Sequence, residues 1–435
     1  MSTVIVGAGM SGLATAIFIK ESSPREDVAI LYDGGSNSSI SGNRFRSGAD
    51  NKPDDLQAMI DAISSREHGA NNTEQIIDFC VLGRTALERF SKINGLSTHY
   101  EPCWFGPRIT SGFADKGHRA PAPNTLNHLK GLASDKGVRI ARYAVTSLHH
   151  SASSGWQCRT DRGPLIASDR VVLASGSPCG RAFGPGSTNR SITGGAVELV
   201  LGKNIEGINK SSIHGAENIM IHPFGKLSPD GASVVGCYAT DSISDAEVYT
   251  DGKRNYYIEE MLRLHTAHSS FPEIIGKVGL GGANYFIKGG AKHPFAPAVH
   301  YWHIGLKPEG SYVEMLPGLF VAGESGNTVR YFDSERLPGT ALTMCLADAH
   351  QISERVREQS DGTSNSITWE YQDSEAPPKP KPTDYESEKV KTLQKLNSRL
   401  VLGLGSGATH HSVIEEVEHF DKGLAEISRM LVESF

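Results

Sequence analysis

The chain has 435 residues, room for two or three domains and a substantial core. Its net charge is −6 and its basic residues are spread along the chain, which excludes the positive stripe of a nucleic-acid binder. Six cysteines (Cys80, Cys103, Cys158, Cys179, Cys237 and Cys345) include no CxxC pair, which argues against a disulfide framework or an iron–sulfur cluster and for reduced thiols in a cytoplasmic protein.

In chain order, Thr3 to Val6 is a short apolar strand. The turn Gly-Ala-Gly-Met-Ser-Gly follows, then a small-residue helix through Ile19 and a second strand, Val28 to Tyr32. The apolar opening is interrupted by three glycines and lacks the basic start of a signal sequence, and no other stretch is apolar enough to span a bilayer. Residues 76 to 95 predict an amphipathic helix, with Ile76, Ile77, Phe79, Leu82, Leu87 and Phe90 as its apolar positions. Val145 to Ala174 reads as several short strands ending in the buried run Arg170-Val-Val-Leu-Ala174.

Residues 226 to 300 mix strands and a helix and read as an inserted module. Pro317 to Ala322 is a further buried strand, and Thr340 to Arg357 a helix. Residues 359 to 386, rich in Ser, Pro, Lys and Glu, predict a linker with little secondary structure, and 387 to 435 predict two or three helices. There is no internal repeat.

Gly7, Gly9 and Gly12 form GxGxxG at a strand-to-helix junction, the pattern that binds a dinucleotide pyrophosphate. The first glycine permits the tight turn, the second lets the pyrophosphate approach the backbone, and the third lets helix and strand pack closely. Met10 and Ser11 lie in the same turn, and Asp33, after Tyr32, is the candidate for the ribose hydroxyls.

Three later segments resemble signatures of FAD proteins. Asp169-Arg-Val-Val-Leu-Ala-Ser-Gly-Ser is similar to "VVLATGG", placing Ala174, Ser175 and Gly176 beneath the cofactor. Pro317-Gly-Leu-Phe-Val-Ala-Gly-Glu324 is similar to "PGLYAAGE", whose acidic residue, here Glu324 after Gly323, binds the ribose or ribityl part. Arg336-Leu-Pro-Gly-Thr-Ala-Leu342 is similar to "NRLGGNSL", so Thr340, Ala341 and Leu342 open a helix under the isoalloxazine. A helix N-terminus there would stabilise negative charge on the reduced flavin. A single GxGxxG leaves no second Rossmann domain for a nicotinamide, so FAD is the expected cofactor.

The same order of motifs resembles the succinate dehydrogenase, fumarate reductase and L-aspartate oxidase flavoproteins. Gly42-Asn43-Arg44 stands where that family has a polar loop beside the cofactor. Thr193-Gly-Gly is similar to "TGDG", Ile221-His-Pro-Phe-Gly to "YHPTG", and Val299-His-Tyr-Trp-His-Ile-Gly to "VHYTMGG". Gly403-Leu-Gly-Ser-Gly-Ala-Thr-His resembles the family's helical tail. The implied fold is α/β: a Rossmann-like FAD-binding domain (1–225 and 301–358), an inserted α+β capping domain (226–300), the linker and a C-terminal helical segment.

By the same resemblance, substrate carboxylates fall to His222, His300 and Arg336; the family's proton-delivering arginine has no clear counterpart, and Arg254 and Arg263 are the candidates. Arginine suits a carboxylate because its planar fork is always charged. The implied reaction is hydride transfer between a small carboxylate or amino acid and flavin N5. Its electron acceptor is left open among oxygen, a quinone and a partner reductase. The alternative is a flavin-binding scaffold without redox turnover.

The chain departs from the family in several places. No histidine stands between residues 38 and 50, so the flavin should be held non-covalently. Phe224 replaces the Thr of "HPT", Gly195 the Asp of "TGDG", and Thr409, His410 and His411 stand where the family's tail carries an Arg; losing that Thr and that Arg points to a substrate other than plain succinate. His293, His300 and His303 lack ligand-spaced carboxylate partners, so no metal is expected.

Overall fold

A computed structural model describes residues 1–34, 38, 44–45, 73–94, 97–101, 108–112, 122–161, 163–177, 195–229, 234–238, 243–250, 252–263, 284–308, 313–326, 340–360 and 365–371. They divide into two compact units. The first gathers Met1–Ser177, Gly194–Asn218 and His303–Lys381, and the second is built around Ile219–Trp302.

The first unit is organised on a six-stranded sheet in the order β17-β18-β10-β1-β2-β6. Its members are β1 (Ser2–Val6), β2 (Asp27–Leu31), β6 (Arg139–Ala141), β10 (Arg170–Leu173), β17 (Glu314–Leu316) and β18 (Leu319–Val321). All neighbours are parallel except β17, which runs antiparallel to β18. Every residue of β1, β10 and β18 is buried, as strands covered on both faces require. This is a Rossmann-like α/β sheet.

Helix α1 (Met10–Ser22) is buried without a break from Met10 to Ile19, because it lies inside the layer rather than on it. It packs on α6 (Thr340–Gln359) and on α3 (Ala122–Asp135), and α2 (Thr73–Asn94) packs on α6. On α2, Ile76, Phe79, Leu87 and Phe90 are buried, whereas Ile77 is exposed on the flank of the apolar stripe.

Arg89, on α2, ties α1, α2 and α6 together. Its guanidinium donates to Glu21 on α1 (2.6 Å), to His350 Nδ1 (3.0 Å) and Ser353 (2.8 Å) on α6, and to the Phe18 carbonyl (3.0 Å). The N-terminal edge of the sheet holds a second polar cluster, where Arg170 pairs with Glu26 at 3.0 Å with both side chains almost wholly buried. Thr3 Oγ1 donates to the same carboxylate at 2.8 Å.

A four-stranded antiparallel sheet runs β19-β9-β8-β7, from β7 (Val145–Ser151), β8 (Gly155–Thr160), β9 (Leu165–Ser168) and β19 (Thr368–Glu370). Strand β19 falls inside the stretch expected to be a linker. Its edge pairing with β9 and the bond from Ile367 N–H to Asp27 (2.8 Å) give that segment structure that its composition hides. A small sheet of β3 (Arg44–Phe45), β4 (Ser97–Glu101) and β5 (Arg108–Gly112) buries Phe45 against Phe90.

The second unit has a sheet in the order β12-β11-β16-β15-β13-β14 and helix α5 (Tyr256–Arg263). The strands are β11 (Ile213–Leu227, belonging to this unit from Ile219 on), β12 (Val234–Cys237), β13 (Glu247–Thr250), β14 (Lys253–Arg254), β15 (Tyr285–Lys288) and β16 (Ala291–Leu306, belonging to it as far as Trp302). The core of this unit is Phe224, Ile243, Ala246, Val248, Ile258, Leu262, Phe286 and Phe295.

Candidate cofactor site and active site

The C-terminal ends of β1, β10 and β18 converge on one place, the position where open α/β sheets bind their ligands. Gly7 leaves β1 at φ +120°, and its N–H donates to the Leu31 carbonyl at 2.7 Å. A Cβ at Gly7 would collide with the Ala174 carbonyl oxygen, and one at Gly12 with the Gly7 carbonyl oxygen. Both glycines of the motif are therefore required by the packing of β1, β10 and α1.

Gly9 is the N-cap of α1 in extended conformation, with no side-chain cap and no acidic residue in the first turn. The Met10 N–H donates to Ser38 Oγ at 3.1 Å. A helix end of this kind carries about half a positive charge and suits a diphosphate.

The other two arms of the cradle come from distant sequence. Ala174 continues the ladder through its N–H to the Val6 carbonyl (2.8 Å), and Ala322 does so to Leu173 (2.9 Å). The 3-10 turn Gly323–Ser325 then meets the loop after β10, where Ser325 Oγ accepts the Gly176 N–H at 2.9 Å and lies 3.3 Å from Ser175 Oγ. Ser175 Oγ also accepts the Ala196 N–H at 3.0 Å, at the start of the short helix α4 (Gly195–Leu201).

Gly323, at φ +61°, would drive a Cβ into Ser11 Oγ, and its N–H donates to Asp348 Oδ2 at 2.7 Å. Ser38, Ser325 and Asp348 were not singled out from sequence. Asp348 did leave a signal, a lone acid in the apolar run Leu342 to Ala349 of α6. Thr340 and Leu342 at the head of that helix are buried and Ala341 is half-buried.

Asp33 stands exposed just past β2, its carbonyl accepting Arg142 Nε at 3.3 Å. Glu324 is half-buried in the Gly323–Ser325 turn.

A family profile for FAD dependent oxidoreductases matches residues 2–279, the stretch that carries Gly7, Gly9, Gly12 and the strand β10 beside them. The chain belongs to the FAD-dependent oxidoreductase family. Its cofactor is FAD, and the cradle fits it: Gly7, Gly12 and Gly323 leave no room for side chains, and the first turn of α1 carries no competing carboxylate.

Among solved structures, this flavoprotein is similar to the apo Sdh1 complex of Mycobacterium smegmatis, with 17% identity over 100% of this chain and 85% of that one, at a TM-score of 0.65. It is similar to a variant of E. coli quinol fumarate reductase FrdA, with 14% identity over 99% and 86% and a TM-score of 0.63. It is also similar to the 3-ketosteroid delta1-dehydrogenase of Sterolibacterium denitrificans, with 10% identity over 82% and 99% and a TM-score of 0.52. These likenesses establish the fold. No curated protein matches the chain in sequence.

Of the residues expected to handle substrate, His222 lies on β11 with its ring half-buried. Its Nδ1 accepts the Phe224 N–H at 3.2 Å, so the neutral ring carries its proton on Nε2. Arg254, on β14, donates to Glu259 at 3.0 Å, pairs with Glu247 at 3.2 Å and lies over the Tyr256 ring. Hydrogen bonding to Glu259 raises its pKa further. These contacts make it a brace of the β13–β14 hairpin. Arg263 is exposed at the end of α5.

Gly42, Asn43 and Arg336 lie outside the described residues, as do the side chains of Arg44 and His300, the Thr193-Gly pair and residues 372–435. Among the described residues no His, Cys, Asp or Glu cluster could hold a metal, and no helix is long and apolar enough to cross a membrane. Burial pushes the Cys80, Cys158 and Cys237 thiols up to about 12, which keeps them protonated and unreactive.

Proposed function

We propose that this flavoprotein transfers a hydride between the FAD and a small carboxylate or amino acid, whose carboxylate is anchored by His222, His300 and Arg336. The observation that carries this reading is the bond from the Phe224 N–H to His222 Nδ1 at 3.2 Å. With Nδ1 accepting a backbone N–H, a neutral ring carries its proton on Nε2, the form in which an imidazole donates to a carboxylate.

When bound, the FAD supplies at N5 the site that takes or gives the hydride. The chain's own groups bind and orient: arginine by its bidentate fork, histidines by single donated bonds, each fixing the substrate carbon rather than reacting with it. In this reading residues 226–300 cap the site, 1–225 and 301–358 bind FAD, 359–386 connect, and 387–435 form the helical tail. Asp33 serves the ribose, and Gly42, Asn43 and Arg44 line the cofactor. The FAD is held non-covalently, since no histidine stands between residues 38 and 50. One of the similar proteins is a quinol fumarate reductase and the M. smegmatis Sdh1 complex is also known bound to UQ1, which favours a quinone as acceptor. Cytoplasmic placement accords with Cys80, Cys158, Cys237 and Cys345 standing outside any disulfide.

The test is anaerobic mixing of the purified flavoprotein with a panel of dicarboxylates and amino acids while flavin absorbance is followed. Bleaching by one class, slowed about 10²- to 10³-fold in Arg336→Met and partly restored in Arg336→Lys, is the expected result. No bleaching and no spectral shift with any compound would leave a flavin-binding scaffold, and bleaching by a ketosteroid alone would replace the carboxylate reading. Flavin retained in an acid-precipitated pellet would show a covalent link.

A further inference from the structure

Asp348 is fully buried in the interior of α6, where an apolar residue would be the ordinary occupant. Aspartate is a poor helix-interior residue, and a carboxylate withdrawn from water is costly unless its bonds are made. A helix that only had to pack would have no use for it. Its placement is specific: Oδ2 accepts the Gly323 N–H at 2.7 Å, across 25 residues of sequence.

We propose that Asp348 is a positioning residue for FAD, holding the Gly323–Ser325 turn in its binding conformation before the cofactor arrives. The proposal rests on the FAD site and not on the substrate reading above, so the two stand or fall separately.

The argument follows the bonds outward. Gly323 sits at φ +61° and abuts Ser11, in the first turn of the helix that receives the pyrophosphate. Its N–H would be an orphan without an acceptor, and a free glycine at this position has several alternative conformations. The carboxylate removes that freedom. Two residues on, the fully buried Ser325 takes the Gly176 N–H at 2.9 Å, and its neighbour Ser175 takes that of Ala196 at 3.0 Å. One anchored turn thus sets the first turn of α1, the loop after β10 and the start of α4. All of these segments border the cradle, and a preorganised cradle spends less of its binding energy on ordering.

The experiment is titration of the FAD-stripped full-length protein with FAD, read by flavin fluorescence and by visible circular dichroism of the bound flavin. Asp348→Ala should weaken FAD by about 10- to 100-fold, the cost of leaving a buried N–H unsatisfied. Asp348→Asn keeps an acceptor at the same reach and should recover most of that loss. Ser353→Ala, on the same helix but bonded to Arg89, should lower Tm and leave FAD affinity unchanged. Wild-type FAD affinity in Asp348→Ala with a lowered Tm would overturn the proposal, because Asp348 would then serve the fold alone. Equal losses in the Asn and Ala variants would overturn it too. If Asp348→Ala does not fold, Ser325→Ala decides: a weakened, dichroically altered flavin supports the relay, and unchanged binding refutes it.

Discussion

The Gly7 backbone lies so close to the carbonyl of Ala174 that no side chain fits between the first and second arms of the FAD cradle. Two constraints coincide at this residue, the collision and a φ of +120°. Gly7→Ala should therefore separate β1 from β10 at their C-terminal ends, and the purified variant should carry no flavin. Gly137, also at positive φ (+82°) but in open space, is the matched comparison. Gly137→Ala should lose about 1 kcal/mol of stability and keep its FAD. Flavin-to-protein ratio and thermal unfolding of the two variants check both expectations, and a yellow Gly7→Ala protein would mean that the cradle adjusts.

Glu26 and Arg170 meet at the opposite, N-terminal edge of the same sheet, 3.0 Å apart and shielded from water. Removing one partner strands a buried charge. Arg170→Met should cost about 3–5 kcal/mol, whereas the double variant Glu26→Leu with Arg170→Met should recover much of that loss. Neither change should move the flavin spectrum, because neither residue borders the cofactor. Denaturant unfolding of the single and double variants is the measurement. Equal losses in both would show that Thr3 and the other partners of Glu26 carry the energy.

Burial, and secondarily the Arg89 guanidinium, hold the His350 pKa below its ordinary value. Arginine can only donate, so His350 Nδ1 must accept from it, which fixes the neutral ring. Glu354 and Glu21 oppose the shift and Arg357 reinforces it. With the folded pKa depressed, the unfolded chain takes up a proton first as pH falls. Stability is full above about pH 6.5 and declines below it. His350→Gln should flatten that decline between about pH 6.5 and 5 without altering stability at pH 8 relative to pH 7. Tm measured across this range decides, and an unchanged acid limb in the variant would assign the decline to other groups.

The local half of the cofactor site was legible in the sequence because GxGxxG sits between a strand and a helix only a few residues apart. The other half depends on partners that periodicity does not connect. Ser325 reaches Gly176 across 149 residues, and Asp348 reaches Gly323 across 25. Strand β19 was missed for a related reason. Three residues in a Ser- and Pro-rich stretch have too little strand propensity of their own, and they order because the edge of β9 and Asp27 offer acceptors and donors. Arg254 is a different case: the resemblance makes it a candidate for proton delivery, and its contacts with Glu247, Glu259 and Tyr256, which no sequence pattern announces, give it a structural role as well.

Phe224 replaces the threonine of the related "HPT" motif, a change that from sequence alone points to an altered substrate. Its ring is fully buried in the second unit, 5.1 Å from the Phe295 ring and part of the cluster with Val248, Ile258 and Phe286. A residue so placed serves packing before specificity. Phe224→Thr should leave a cavity and bury a hydroxyl, at a cost of about 3–5 kcal/mol, and Phe224→Leu should recover about half of it. Because Phe224 N–H also fixes the tautomer of His222, the backbone at this point must stay in register for His222 to donate from Nε2. The Leu variant should therefore keep the wild-type order of preference among substrates, with a lower Tm. Substrate panels run on the wild type and both variants test this. A Thr variant that unfolds at the wild-type temperature and accepts a new dicarboxylate would make Phe224 a specificity residue and displace it from the core role assigned to it.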